Sequence, residues 1–373
     1  MQTAIPYMHF RGGSSKGLFF NAKDLPTDET LRNKYILAAM EGSDLGDARQ
    51  IDGLGGGSSL SSKLAIVSPS VSEGIDLDYY FIQVMIGKGK VSTNQTCGNI
   101  LAAVLPFAIE SGMIGATHPT TSAVIRIVNT GGICEVVVET PNEQVNYVGN
   151  AKVDGVLGTA APIICNYLDT EGATCGALLP TGNAIDTIDG KEVTCIDNGM
   201  PVVLMRSIDF GITGYETKET LDNNDVLKQQ LEMIRLKASH KMNLGDVTNQ
   251  SVPKMCLISP PQYPNGLVNT RMFIPHVCHD AIGVLAAVSV ATACILPKTV
   301  AENTAILIAD PDKIGRGGHS FSIEHPTGEF TVNIEHTMQN EIPKIEKSGV
   351  MRTARLLSKG VVFIPESVTM SHP

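Results

Sequence analysis

Two stretches of this chain are apolar in every direction a helix could face. One is residues 100–109, Ile-Leu-Ala-Ala-Val-Leu-Pro-Phe-Ala-Ile; the other is the 16-residue run 281–296, which contains the hydroxyls of Ser289 and Thr292. Both are short for a bilayer span, which takes about 20 apolar residues. A helix that is apolar on all sides is buried. The chain must therefore wrap other elements around each of them, and 373 residues leave room for two domains.

A cysteine precedes each run, in Thr96-Cys97-Gly98-Asn99 and in Pro275-His276-Val277-Cys278-His279-Asp280. Free N–H groups and a partial positive charge at a helix N-terminus favour thiolates and hold carboxylates. The expectation is that each thiol stands at the head of its helix, with a site built between two domains. A small cysteine that simply fills the core is the competing reading of Cys97. The Gly-Asn that follows argues for close approach of a ligand to the backbone.

Alternation and β-branched content predict strands at 5–10, 18–20, 63–67, 78–86, 123–128, 133–140 and 151–158. An amphipathic helix is predicted at 30–40. A second series begins near Gly190, with strand, turn and strand over 193–204 and a charged helix at 221–238. Strands at 254–259, 269–275, 321–325 and 330–334 complete it.

Net charge is −10, which argues against a general nucleic-acid binder. The eight cysteines are scattered and form no CxxC pair, and the start has neither a basic n-region nor an apolar h-region. A cytoplasmic protein with reduced thiols is expected.

Three polar segments carry candidate chemistry. Arg11-Gly-Gly-Ser-Ser-Lys-Gly17 combines two cations, two hydroxyls and backbone amides, as an anion cradle does; a glycine-rich hairpin turn fits it equally well. It lacks the Gly-Lys-[Ser/Thr] ending of a phosphate loop. Lys63 ends a Gly/Ser loop and opens the apolar strand Leu64-Ala65-Ile66-Val67. A desolvated lysine can serve as a base, although an exposed lysine at a strand edge fits the local residues better. Glu324-His325-Pro326-Thr327-Gly328 is a turn whose His325 either reaches a cleft or caps the turn. His276, Cys278, His279 and Asp280 lack a second ligand pair at metal-site spacing, so no metal is expected. No nucleophile elbow and no dinucleotide fingerprint occur.

Taken together, Arg11–Gly17, Gln50-Ile-Asp-Gly-Leu-Gly-Gly, Ser61-Ser-Lys63, Cys97-Gly-Asn, Asp154-Gly-Val-Leu-Gly-Thr-Ala-Ala-Pro162, Cys195-Ile-Asp, Met200-Pro-Val-Val, Pro275-His-Val-Cys-His279 and Glu324–Gly328 resemble the methylaconitate isomerase family over residues 5 to 365. Cys175–Asn183 and Lys254-Met-Cys-Leu257 are most similar to its 4-oxalomesaconate branch; other branches act on 3-methylitaconate and 2-methylaconitate. Ser14 stands where many members have threonine.

The resemblance implies a mixed α/β, diaminopimelate-epimerase-like fold of two similar domains, each a mixed sheet around one apolar helix. The expected domains are 1–185, with Lys63 and Cys97, and 186–373, with Cys278 and His279, the last strand returning to the first domain. It implies an isomerase that works without a cofactor, shifting a proton and a double bond in a small unsaturated di- or tricarboxylate. Lys63 and Cys97 are then the catalytic pair. Ser14, Ser15, Gly98, Asn99, Cys278, His279, His325, Thr327 and Gly328 are the expected substrate-binding residues. An amino-acid epimerase using Cys97 and Cys278, and a carboxylate-binding protein without turnover, are the competing readings. A homodimer is the working expectation for the assembly.

Overall fold

The structure, a computed structural model, describes residues 2–93, 96–307, 319–339 and 342–369. It divides into two compact units, Met1–Asn166 with Met351–Pro373, and Tyr167–Val350. The sequence placed a boundary at 185/186. Residues 167–185 go with the second unit because Cys175 lies in the core around Val193, Val203 and Leu231. Residues 354–365 go with the first because Ala354–Pro365 pairs antiparallel with the opening strand Gln2–Gly12.

Within the first unit, Gln2–Gly12 and Ser15–Asn21 form a hairpin. Ser15–Asn21 runs parallel to Lys63–Pro69, which is antiparallel to Leu77–Met85. Leu77–Met85 runs parallel to Thr120–Ile127, which is antiparallel to Ile133–Glu139. An outer helix, Glu29–Glu41, links the second and third of these strands. Asp28 caps its N-terminus by accepting from the Leu31 N–H at 2.8 Å, and left-handed Gly42 ends it. Its Ile36, Leu37 and Met40 pack on Leu18, Phe20, Leu64 and Ile66.

The apolar stretch at 100–109 is buried as two short helices, Gly98–Leu101 and Val104–Glu110. The break falls at Ala103 (φ −95°, ψ 0°) because Pro106 has no N–H to offer the Ala102 carbonyl. Edge-on contacts of Phe107 with Phe10 (6.5 Å) and Phe10 with Phe19 (5.1 Å) fasten this segment to the hairpin.

The second unit repeats the pattern. Lys191–Asp197 and Pro201–Arg206 form the hairpin; Lys254–Ser259 joins parallel, Gly266–Phe273 antiparallel, His319–His325 parallel and Gly328–Gln339 antiparallel. Its outer helix, Asp225–Lys241, packs Leu227, Leu231, Ile234 and Ala238 on Val203, Met205, Met255 and Leu257. Asn224 caps that helix, which splits the single helix expected over 221–238. Arg235, fully buried, is held by Glu232 and by the carbonyls of Val247, Gln250 and Val252.

The second apolar helix, Val284–Ile295, is buried throughout its centre. Its two hydroxyls are satisfied. Ser289 donates to the Met200 carbonyl and accepts from Asn198 N–H; Thr292 donates to Val288 and accepts from the Asn198 amide. The strand expected at 151–158 is absent except for one bridge, Ala151 to Ala160. Gly155 (φ +82°) and Gly158 (φ +81°) turn the backbone there, and the strand forms at Ile163–Leu168 instead. Among the described residues, no helix is long and apolar enough to cross a membrane.

Candidate active site

Lys63 opens its strand with 8% of its surface exposed. Its Nζ donates to Gln83 Oε1 at 2.7 Å and lies 5.3 Å from the centre of the Phe81 ring. Gln83 is itself held, because its amide donates to the Ser62 carbonyl at 3.0 Å. Cys97 is the N-cap of its helix, partly exposed, and its side chain makes no capping bond. Its carbonyl accepts from the Tyr79 hydroxyl at 3.2 Å. Tyr79, Phe81 and Gln83 alternate along Leu77–Met85 and so share one face of that strand. One strand face therefore positions both Lys63 and Cys97.

The hairpin turn brings in the next residues. Asn99 Nδ2 donates to Ser14 Oγ at 3.1 Å. Ser15 is buried, and neither its hydroxyl nor that of Thr96 has a partner among the described residues. Buried hydroxyls without partners are uncommon, and these two flank the stretch that carries Ser14 and the one that carries Cys97. The N–H groups of Gly98 and Asn99 belong to the first helical turn, where no intrahelical acceptor exists.

The glycines of Arg11–Gly17 act by approach. A Cβ at Gly12 would lie 2.2 Å from the Asn99 carbonyl oxygen, and one at Gly17 would lie 2.3 Å from that of Lys63. The hairpin thus touches the backbone of Lys63 and that of Asn99, two residues after Cys97. Gly17→Ala is expected to destabilise the protein by about 1–3 kcal/mol through overpacking and to lower turnover by moving Lys63. Denaturant unfolding and kcat, measured on the same sample, check both.

In the second unit, Cys278 is not at a helix head, contrary to the sequence expectation. The helix begins at Val284 with Gly283 as its cap, and Cys278 sits in a β-bridge with Phe273. Its N–H is taken by Asp222 Oδ1 at 2.7 Å. Burial, then the Asp222 charge, push the Cys278 thiol up to about 11. A thiol so raised stays protonated near neutral pH and is a poor nucleophile or base.

His279 accepts from the Ala281 N–H at Nδ1 (2.8 Å), which leaves its proton on Nε2, and burial lowers its affinity for a second proton. Thr327 Oγ1 donates to the Asp280 carbonyl at 2.8 Å, and His325 Nδ1 accepts from the Thr327 N–H at 3.3 Å. The His325–Gly328 turn, with Gly328 at φ +148°, is thereby tied to the Cys278–Asp280 loop. Lys218, Ile274, Val277, Cys278, His279 and Asp280 line a cavity of about 340 Å³. His276 faces Glu232 at 3.7 Å.

Tyr79, Phe81 and Gln83 escaped the sequence reading. Their spacing of two in a recognised strand put them on one face, but nothing local marked that face as the one beside Lys63.

Residues 2–365 match the family described as PrpF protein. The chain belongs to the PrpF family. It is 50% identical over 365 residues to the 4-oxalomesaconate tautomerase of Pseudomonas putida, covering 97% of each chain. It is 49% identical over 361 residues to the (4E)-oxalomesaconate Delta-isomerase of Novosphingobium sp., covering 97% of this chain and 98% of that one. A crystal structure of methylitaconate-delta-isomerase superposes with a TM-score of 0.87 at 31% identity, over 100% of this chain and 99% of the other. This PrpF member has the mixed α/β fold expected from the motifs, and it is an isomerase.

Proposed function

We propose that this PrpF isomerase moves a proton between the ends of an allylic or keto–enol system in a small unsaturated di- or tricarboxylate, with 4-oxalomesaconate as its substrate. The observation that carries the reading is the strand face that holds both Lys63 and Cys97. The two relatives at 49–50% identity, whose names carry that substrate, support it.

Lys63 takes the proton from the carbon next to a carboxylate. The charge that develops spreads along the conjugated system onto carboxylate oxygens, where preorganised N–H and O–H donors are worth most. The amides of Gly98 and Asn99 and the hydroxyls of Ser14 and Ser15 are those donors. Cys97 returns a proton at the distal carbon. Within the second unit, the Thr327–Asp280 bond holds His325, Thr327 and Gly328 beside the loop of Cys278 and His279, which suits these residues to bind a carboxylate. The scattered free thiols suit the cytoplasm.

Proton NMR in D₂O with 4-oxalomesaconate, 3-methylitaconate, 2-methylaconitate, trans-aconitate and diaminopimelate tests the reading. New vinyl or methylene signals with deuterium at the allylic carbon of 4-oxalomesaconate are the expected result. Exchange confined to the α-carbon of diaminopimelate would overturn it. So would thermal stabilisation by a carboxylate with no exchange in any compound.

A further inference from the structure

Lys63 and Gln83 stand directly opposite each other where Lys63–Pro69 pairs antiparallel with Leu77–Met85. Opposite charges across such a ladder stabilise it, yet the partner here is neutral: Nζ donates to Gln83 Oε1 at 2.7 Å. The other half of the amide fixes which atom faces the lysine. Gln83 Nε2 donates to three carbonyls, Ser62 at 3.0 Å, Val84 at 3.2 Å and Ser59 at 3.3 Å. Turned over, the amide would set its oxygen against three carbonyl oxygens and its N–H groups against an amine. Oε1 is therefore held toward Lys63.

Two of those carbonyls belong to the glycine–serine segment that runs into Lys63, and a second glutamine braces that segment. Gln50 is 2% exposed. Its Oε1 accepts from the Gly57 N–H at 2.8 Å and from the Ser62 hydroxyl at 2.7 Å, and its Nε2 donates to Glu41 at 3.4 Å. It does so from a left-handed backbone, φ +54°, a conformation that persists in a residue other than glycine only where the surroundings enforce it. The contacts run within the first unit from Gln50 through Ser62 to Gln83 and end on the Lys63 amine.

A neutral acceptor suits a base. One N–H committed to Gln83 limits where the lone pair of the free amine can point. A carboxylate in the same place would favour the ammonium, which has no lone pair to take a proton from carbon. We propose that Gln83 is a positioning residue that aims the Lys63 amine without holding a proton on it, and that the glycine–serine segment, braced by Gln50, keeps Gln83 in that orientation. The inference rests on the reading of Lys63 as the base given above and adds to it a residue that acts through Lys63.

Gln83→Glu and Gln83→Met separate aiming from packing. With glutamate opposite, Lys63 keeps its proton to higher pH, so the acid limb of the kcat/KM profile should move up by about 1–2 pH units. At pH 7 kcat/KM then falls by about 10–100-fold and returns as the pH is raised. One carboxylate oxygen of this variant meets the Ser59 and Ser62 carbonyls, so its melting temperature should fall slightly; the position of the limb is independent of that. Methionine matches glutamine in length and has no amide oxygen. Its kcat should fall by about 10–100-fold, the cost of a misaimed group, with KM within about threefold and the acid limb not raised. A glutamate variant whose limb stays in place, or a methionine variant with wild-type kcat, would overturn this inference alone when Lys63→Met is inactive. Losses in both variants that merely follow melting temperature, with no movement of the limb, would make Gln83 structural and overturn it too. Turnover surviving in Lys63→Met would overturn the reading of Lys63 and this assignment with it.

Discussion

Replacing Lys63 by methionine is expected to lower kcat by about 10²–10⁴-fold, the usual contribution of a positioned acid–base group. Melting temperature and circular dichroism should stay near wild type. The expectation of an intact fold comes from the neighbours. Methionine can keep its stem over the Phe81 ring, and Gln83 retains its bonds to the Ser59 and Ser62 carbonyls. What disappears is the amine that Gln83 aims. Because the proton to be moved sits on carbon, water in its place is a poor base, so the loss falls on kcat rather than KM. Near-normal kcat in a folded Lys63→Met protein would remove Lys63 from the mechanism.

Cys97→Ser should move stability and activity in opposite directions. Serine is a preferred N-cap, and the cysteine here makes no capping bond, so the variant should melt at or slightly above the wild-type temperature. Turnover should fall by about 10²–10³-fold, because a hydroxyl is a far weaker acid than a thiol for returning a proton to carbon. Deuterium incorporation at the site of abstraction should persist, since Lys63 is untouched. If turnover survived, the returning proton would have to come from Lys63 itself.

Much of this arrangement is legible in the residues themselves. The outer helix shows its cap, its period and its terminal glycine in Asp28, Ile36, Met40 and Gly42. The apolar runs announce burial. The resemblance in the glycine-rich segments singles out Lys63, which its local sequence alone does not. Other features stay hidden for identifiable reasons. Pro106 splits one helix, and Gly155 with Gly158 dissolves one strand, although each breaker stands in plain view. Cys278 resembles a helix-head thiol because an apolar run follows it. Gly283 and the bridge to Phe273 fix the helix start six residues later.

By itself, then, the sequence determined that the two apolar segments are buried, where most of the strands run, and that Cys97 would meet the first apolar segment at its head. Those properties depend on period and on residues within a turn or two of each other. Tertiary structure alone decided that Tyr79, Phe81 and Gln83 hold Cys97 and Lys63, and that 354–365 joins the first unit. Each of these is a matter of strand register. Register is set by which faces must be buried against distant partners, and neighbours along the chain carry no record of it.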